Sequence, residues 1–125
     1  MSQINQFRTA GISPTGGLIW SREAGAAVTA EDGHGYVNTN AGLTTITLPA
    51  VAVLGAIITI IGEGAGGWSI AQNAGQSIQY VGLSTTAGVG GSLSSTHRYD
   101  TVYIVCRVAS TTFSISSATG VLNVI

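Results

Sequence analysis

The chain has 125 residues, of which 45% are hydrophobic and only 7% are charged, with a net charge of −1. This length accommodates one domain with a substantial core, and this hydrophobic content excludes a disordered chain. About a quarter of the residues of an ordinary soluble domain are charged, whereas this chain has no lysine and four scattered arginines. The charge pattern therefore predicts neither nucleic-acid binding nor attraction to an acidic membrane surface.

The scarcity of charge also predicts that the chain does not act alone. A monomer of this size would have to cover its surface with neutral polar and apolar side chains. Oligomer interfaces, by contrast, are depleted in charged residues. We therefore expect much of the surface to contact copies of the same chain or a neighbouring protein. The alternative is a monomer kept soluble by serine, threonine, asparagine and glutamine.

Residues 1–20 are interpreted as an N-terminal anchoring arm. Their apolar side chains are isolated and follow no period, and a turn cluster follows at 13–17. The arm is expected to bind another protein through four apolar residues, Ile4, Phe7, Ile12 and Trp20. The start of the chain also lacks the basic residues and apolar run of a secretory signal, which predicts folding in a cytoplasm and no membrane insertion.

From about residue 26 the pattern predicts short strands separated by glycine-rich turns. Residues 56–61 are apolar on both faces, as in a central strand that is covered on both sides. Residues 101–109 alternate, with Val102 and Ile104 on one face and Tyr103 and Val105 on the other. Two further strands, at 68–72 and 77–81, are predicted to form a hairpin.

No window of ten or more residues keeps a helical period, so the fold class predicted is all-β. Strands that recur about every ten residues favour an antiparallel β-sandwich or jelly-roll-like barrel, formed by residues 21–125. Because several strands are apolar on both faces, one face can fill the core while the other requires a partner. Cys106, the single cysteine, is predicted to be a small buried hydrophobic residue.

The motifs that could carry catalysis are weak. Residues 62–67 match the glycine pattern of a dinucleotide-binding loop, but a strand is predicted after them where a helix would be needed. The hypothesis of a hydrolase acting on surface polysaccharide depends on His97 and Asp100 alone, because no nucleophile motif accompanies them. The two histidines are far apart in sequence. We therefore predict no catalytic residues, no metal site and no cofactor.

Four residues are candidates for contacting a ligand such as a surface glycan: Trp68, His97, Arg98 and Tyr99. An isolated aromatic residue beside a glycine loop more often belongs to a core or an interface, and this interpretation is favoured for Trp68. For Tyr99, which follows His97 and Arg98, the two interpretations are balanced.

Several segments share one pattern that extends over about residues 20–125. They are GYVNTNAG at 35–42, TLPA at 47–50, GAGGWSIAQNAGQ at 64–76, SSTHRYD at 94–100, VYIVC at 102–106 and SSATG at 116–120. In this order they resemble the C-terminal trimeric tip module of phage tail fibres, which also occurs at the ends of bacterial collagen-like surface proteins. The string around Trp68 is the most specific part of the resemblance.

The resemblance implies a β-structured homotrimer that caps a fibrous shaft, contacts host cell-surface glycans and has no catalytic activity. The expected location is the virion, assembled in the host cytoplasm, with another virion protein bound through residues 1–20. Fibres usually carry a long shaft, however, and only about twenty residues precede the module here. This difference raises two alternatives: a short fibre anchored by its arm, or a trimeric capsid decoration (cement) protein.

Overall fold

A computed structural model of the chain describes residues 17–125. Within this range the protein forms strands and no helix, which confirms the predicted all-β class. The strands are β1 (Ile19–Glu23), β2 (Ala27–Thr29), β3 (His34–Asn38), β4 (Thr44–Thr47), β5 (Ile57–Gly62), β6 (Trp68–Ala71), β7 (Ser77–Tyr80), β8 (Leu83–Ser84), β9 (Ser92–Ser94), β10 (Thr101–Val108), β11 (Thr112–Thr119) and β12 (Asn123–Val124).

The strands form two mixed sheets that share one hydrophobic core, consistent with a β-sandwich. The seven-stranded sheet has the order β1-β3-β5-β10-β11-β7-β8, and the five-stranded sheet has the order β12-β9-β6-β4-β2. The central position predicted for residues 56–61 is confirmed, because β5 lies between β3 and β10.

The first half of the chain is not antiparallel. Successive strands alternate between the sheets, so β1, β3 and β5 pair in parallel in one sheet, and β2, β4 and β6 do so in the other. Parallel neighbours need a crossover connection, and here the strand in the opposite sheet provides it. The β11–β7 pair is also parallel. The prediction of an antiparallel sandwich is therefore wrong for these pairs and correct for β5–β10, β10–β11, β7–β8, β6–β9 and β9–β12.

The predicted hairpin between residues 68–72 and 77–81 does not form, because β6 and β7 lie in different sheets. The connection is held by the buried amide of Gln76. Its oxygen accepts from the main-chain nitrogen of Asn73 (2.8 Å), and its nitrogen donates to the carbonyls of Pro49 (2.9 Å) and Ser110 (3.2 Å). These bonds satisfy polar groups inside the fold and direct the chain across the sandwich.

The core is filled by one face of each central strand. The alternation predicted for residues 101–109 is confirmed as far as Cys106, since Val102, Ile104 and Cys106 are buried on β10. It is wrong for Val108, predicted on the same face, which is 48% exposed after a register shift. Ile58 and Ile60 are buried beside them on β5. The largest fully buried side chains are Trp68 and Phe113.

The folded part begins slightly earlier than predicted. Trp20 was assigned to the arm, but it lies in β1, which pairs with β3 at the edge of the seven-stranded sheet. Its indole packs over Gly35, where an added Cβ would lie 2.6 Å from the ring. The other three arm residues, Ile4, Phe7 and Ile12, lie outside the described residues.

Candidate functional site

Three exposed candidates lie on one turn at the upper end of the sandwich, defined here as the end where residues 62–67 and 95–100 meet. This turn, residues 95–100, is called the crest. It is built on Asp100, which is only 4% exposed. One carboxylate oxygen of Asp100 accepts from the main-chain nitrogens of Thr96 and His97, both at 2.9 Å, and from the Thr96 hydroxyl at 3.3 Å. A buried carboxylate therefore holds the turn from which the neighbouring side chains project.

Tyr99 has an unusual backbone. Its φ of 75° lies in the left-handed region that residues other than glycine seldom adopt. The conformation is held by a hydrogen bond of 2.6 Å from its main-chain nitrogen to the carbonyl of Gly62. The ring itself is 60% exposed. Such strain persists only where the surroundings enforce it, and here its result is an aromatic ring presented to solvent.

Arg98 lies against this ring. Its guanidinium carbon is 5.3 Å from the centroid of Tyr99, within the range of a cation–π contact. Its Nε donates to the carbonyl of Glu63 at 2.8 Å, which ties the crest to the loop after β5. The two side chains therefore form a platform with one flat aromatic surface and one cation.

A second arginine neutralises the carboxylate beside this platform. Both terminal nitrogens of Arg22 donate to the carboxylate of Glu63, at 3.0 and 2.7 Å. Chiefly because of this hydrogen bonding, the pKa of Glu63 is lowered from its usual value. Among residues 17–125, this is the ion pair that forms. Arg98 thus contributes the positive charge at the crest.

The glycines at 62–67 serve packing at this end. An added Cβ at Gly64 would lie 2.2 Å from the carbonyl oxygen of Asn40, and one at Gly66 would lie 2.0 Å from the backbone of Gly42. The residues that follow form strand β6 and no helix. The interpretation of this loop as a strand connection is therefore confirmed. A polar depression of about 90 Å³ lies between it and the crest.

Trp68 does not join the exposed candidates. Its side chain is 0% exposed, and its Nε1 donates to the carbonyl of Asp100 at 2.9 Å. Because the indole faces the core, we remove it from the candidate ligand contacts. Trp68 instead supports the crest from below, through the same residue whose carboxylate caps the turn.

The proposed pairing of His97 with Asp100 has a different geometry from that of a hydrolase. The carboxylate bonds to main-chain nitrogens of the turn, while Nδ1 of His97 lies 2.9 Å from the hydroxyl of Thr96. The carboxylate therefore does not orient the imidazole toward a nucleophile, as a triad requires. Within residues 17–125, no three His, Cys, Asp or Glu side chains are grouped so as to hold a metal ion. In the same range, the structure contains no helix of the length and apolarity that would span a bilayer.

The exposed candidates of the crest could be predicted from the sequence, but the contacts that support the crest could not. Arg22 and Glu63 are 41 positions apart, and no local pattern links them. They meet because β1 and β5 both flank β3 and both end at the upper end. The left-handed backbone of Tyr99 likewise has no local signal.

Comparisons with known proteins do not assign the chain to a family. No family model matches it, and no curated protein matches its sequence. Its function is therefore inferred from its own residues and from the resemblance described above.

Proposed function

We propose that the chain is the subunit of a homotrimeric attachment protein of a phage particle, similar to a fibre tip, which binds the host cell surface without catalysis. The observation that carries this proposal is the crest. An exposed tyrosine ring and an adjacent arginine are held in place by a buried carboxylate, a fixed backbone and a tie to Glu63.

This platform has the chemistry that recognises carbohydrate. The flat face of Tyr99 suits the apolar face of a sugar ring, as aromatic side chains pack through large rigid surfaces. Arg98 can donate to hydroxyls, and its planar fork suits a carboxylate of an acidic sugar. Because the turn is already held, little conformational entropy would be lost on binding.

The direction in which the chain enters the fold is consistent with an anchor at one end and a binding surface at the other. The chain enters β1 at the lower end, defined as the end where residues 49–55 and 108–111 lie, and β1 runs toward the crest. An anchor on the residues before β1 would thus connect at the end away from the crest. Three copies would present three crests together, and such multivalency raises avidity well above the affinity of one site.

The second candidate function is a capsid decoration trimer anchored by residues 1–20. The same chain direction suits this function. Imaging of labelled protein on purified virions separates the two functions, since a fibre tip lies on the tail and a decoration protein lies on the head. Glycan binding favours the first.

The direct test is binding of the full chain to a glycan array and to host envelope preparations. We expect Tyr99→Ala and Arg98→Gln to abolish binding while the circular dichroism spectrum stays unchanged. Leu83→Ala is the matched control, because Leu83 is 58% exposed and lies on β8, outside the crest. Absence of binding by the unmodified chain, or equal binding by the crest variants, would refute the attachment role.

A further inference from the structure

We propose that copies of this chain pack against each other through the outer face of the seven-stranded sheet, with Thr59 and Tyr103 at the centre. This inference rests on the homo-oligomer of the proposed function and adds the surface that forms it. It does not depend on what the crest binds.

The outer face is apolar between two charged positions: Arg22, which is paired with Glu63, lies beside Val37, and Arg107 lies two residues beyond Val105. Side chains alternate between the two faces of a strand. The residues that flank the buried Ile58 and Ile104 along their own strands therefore point away from the core. In the register, Val105 lies beside Ile57, and Val37 lies beside Ile61. The central residues are partly exposed except for Thr59, and none belongs to the core cluster; they are Val37, Ile57, Thr59, Ile61, Tyr103 and Val105.

Trp20 extends this face to the edge of the sheet. It pairs with Gly35 in the β1–β3 register and covers that glycine with its ring. The indole is 40% exposed. Large aromatic residues are enriched in interfaces, and this one lies on the same side as the central residues.

Thr59 provides an independent indication of a partner. Its side chain is almost covered, at 7% exposure, yet its hydroxyl has no hydrogen-bond partner. Among the described residues it is the one buried side-chain polar atom in this condition. Leaving such a group unpaired costs about 1–3 kcal/mol. The residue lines a depression of about 160 Å³ on the outer face, beside Tyr103 and Thr101. The hydroxyl itself is covered in the single chain, so a group from a partner reaches it once the side chains around this depression shift on association.

A second copy of the chain is the occupant that fits this face. Tyr103 lies beside Thr59 in the β5–β10 register, so each copy carries both a phenol and an unpaired hydroxyl at the same level of the sheet. Where the outer faces of neighbouring copies meet, the phenol of one copy can donate to Thr59 of the next once the side chains that cover this hydroxyl shift. Apolar centres also match each other without opposite charges, which this chain largely lacks.

The dimensions of the face are adequate. Seven strands at about 4.8 Å spacing span about 30 Å, and the eight residues of β10 extend about 26 Å. A standard interface buries about 800 Å² per partner, which a face of this size can supply. The charged Arg107 is directed over β11 and β7, and so away from β5, by bonds to Gln79 (2.6 Å) and Ser114 (3.2 Å).

The experiment is the native mass of variants of the full chain, measured by light scattering coupled to gel filtration. Val105→Glu places a carboxylate among the apolar residues of the face, while the nearby Arg107 is already bonded to Gln79 and Ser114, so we expect the oligomer to dissociate to a folded monomer. Val51→Glu and Val121→Glu are the matched controls, because these valines are 83% and 74% exposed and lie in loops. The controls are expected to keep the native mass.

Tyr103→Phe tests the same face without the risk of misfolding, since it removes one oxygen only. We expect the dissociation constant for each contact between two copies to rise about five- to tenfold, the loss of one hydrogen bond of about 1 kcal/mol or slightly more. In Thr59→Val the same bond is absent, so adding Tyr103→Phe should have little further effect.

Several results would overturn the proposal. These are a native mass that Val105→Glu leaves unchanged, dissociation by Val51→Glu or Val121→Glu in its place, or a wild-type chain whose outer face is covered only by another virion protein. Absence of glycan binding by the unmodified chain, with an intact oligomer, would refute the crest assignment alone. The two proposals therefore fail separately.

Discussion

The turn that carries the crest should depend on a single carboxylate. We predict that Asp100→Ala lowers the free energy of unfolding and releases the turn, because the carboxylate accepts two main-chain N–H groups and a hydroxyl. Hydrogen bonds to a charged group contribute about 1.5–3 kcal/mol each. The turn is exposed, so water can replace part of this loss once the carboxylate is removed. We therefore expect a destabilisation of about 2–4 kcal/mol.

Urea unfolding followed by fluorescence measures this change. With a slope of about 2 kcal/mol per molar urea, the midpoint should fall by about 1–2 M. All variants should be compared at one protein concentration, because unfolding of an oligomer depends on it. Asp100→Asn is the matched control, since it retains a neutral acceptor and should lose about half as much. Hydrogen exchange should show loss of protection at the amides of Thr96 and His97.

The reasoning would be refuted by an Asp100→Ala protein that unfolds at the wild-type midpoint and keeps these two amides protected. In that case the turn would be held by the hydrogen bonds from Tyr99 to Gly62 and from Arg98 to Glu63, and not by the carboxylate. Asp100→Ala should also lose glycan binding, even though the ring of Tyr99 and the guanidinium of Arg98 are unchanged.

Further predictions concern the supports of the fold and of the crest. Gln76→Glu should destabilise the protein by about 3 kcal/mol or more at neutral pH, because a buried carboxylate would face two carbonyls in place of the amide that now donates to them. The pKa of this new carboxyl should be raised, so the deficit should be smallest below pH of about 4 and grow as the pH rises, as urea midpoints against pH would show. Gly66→Ala should unfold the loop after β5 or fail to fold, because the added Cβ would lie 2.0 Å from the backbone of Gly42; expression with circular dichroism is the check. Arg22→Gln should raise the pKa of Glu63 toward its usual value, since Arg22 lowers it, and an NMR titration of the carboxyl would measure the shift. The stability that this pair provides is present above the unfolded-state pKa and is lost as the pH falls through the folded-state value, and it should be small because both groups are largely exposed.

Local patterns predicted the strands well because alternation is a local property. The period of two in residues 101–109 identified both faces of β10, including the outward side of Tyr103 and Val105. Pairing is not local, however. The sequence around Asn73 is typical of a hairpin, yet the buried amide of Gln76 bonds to carbonyls 27 and 34 positions away and sends β7 to the other sheet.

The candidate site shows the same difference between local properties, which a sequence pattern predicts, and non-local contacts, which it does not. His97, Arg98 and Tyr99 are adjacent in sequence, so their common location could be predicted, and their exposure follows from a polar turn. The core or interface position favoured for Trp68 is confirmed, although its complete burial depends on both sheets closing over it, which no local pattern shows. The missing partner of Thr59 is also a property of the assembled sheet, since a threonine in a strand is ordinary in isolation.

The native mass of the unmodified chain tests the central claim most directly. Light scattering at micromolar concentration should give three times the subunit mass of 12.6 kDa. A stable, soluble species of 12.6 kDa would contradict it.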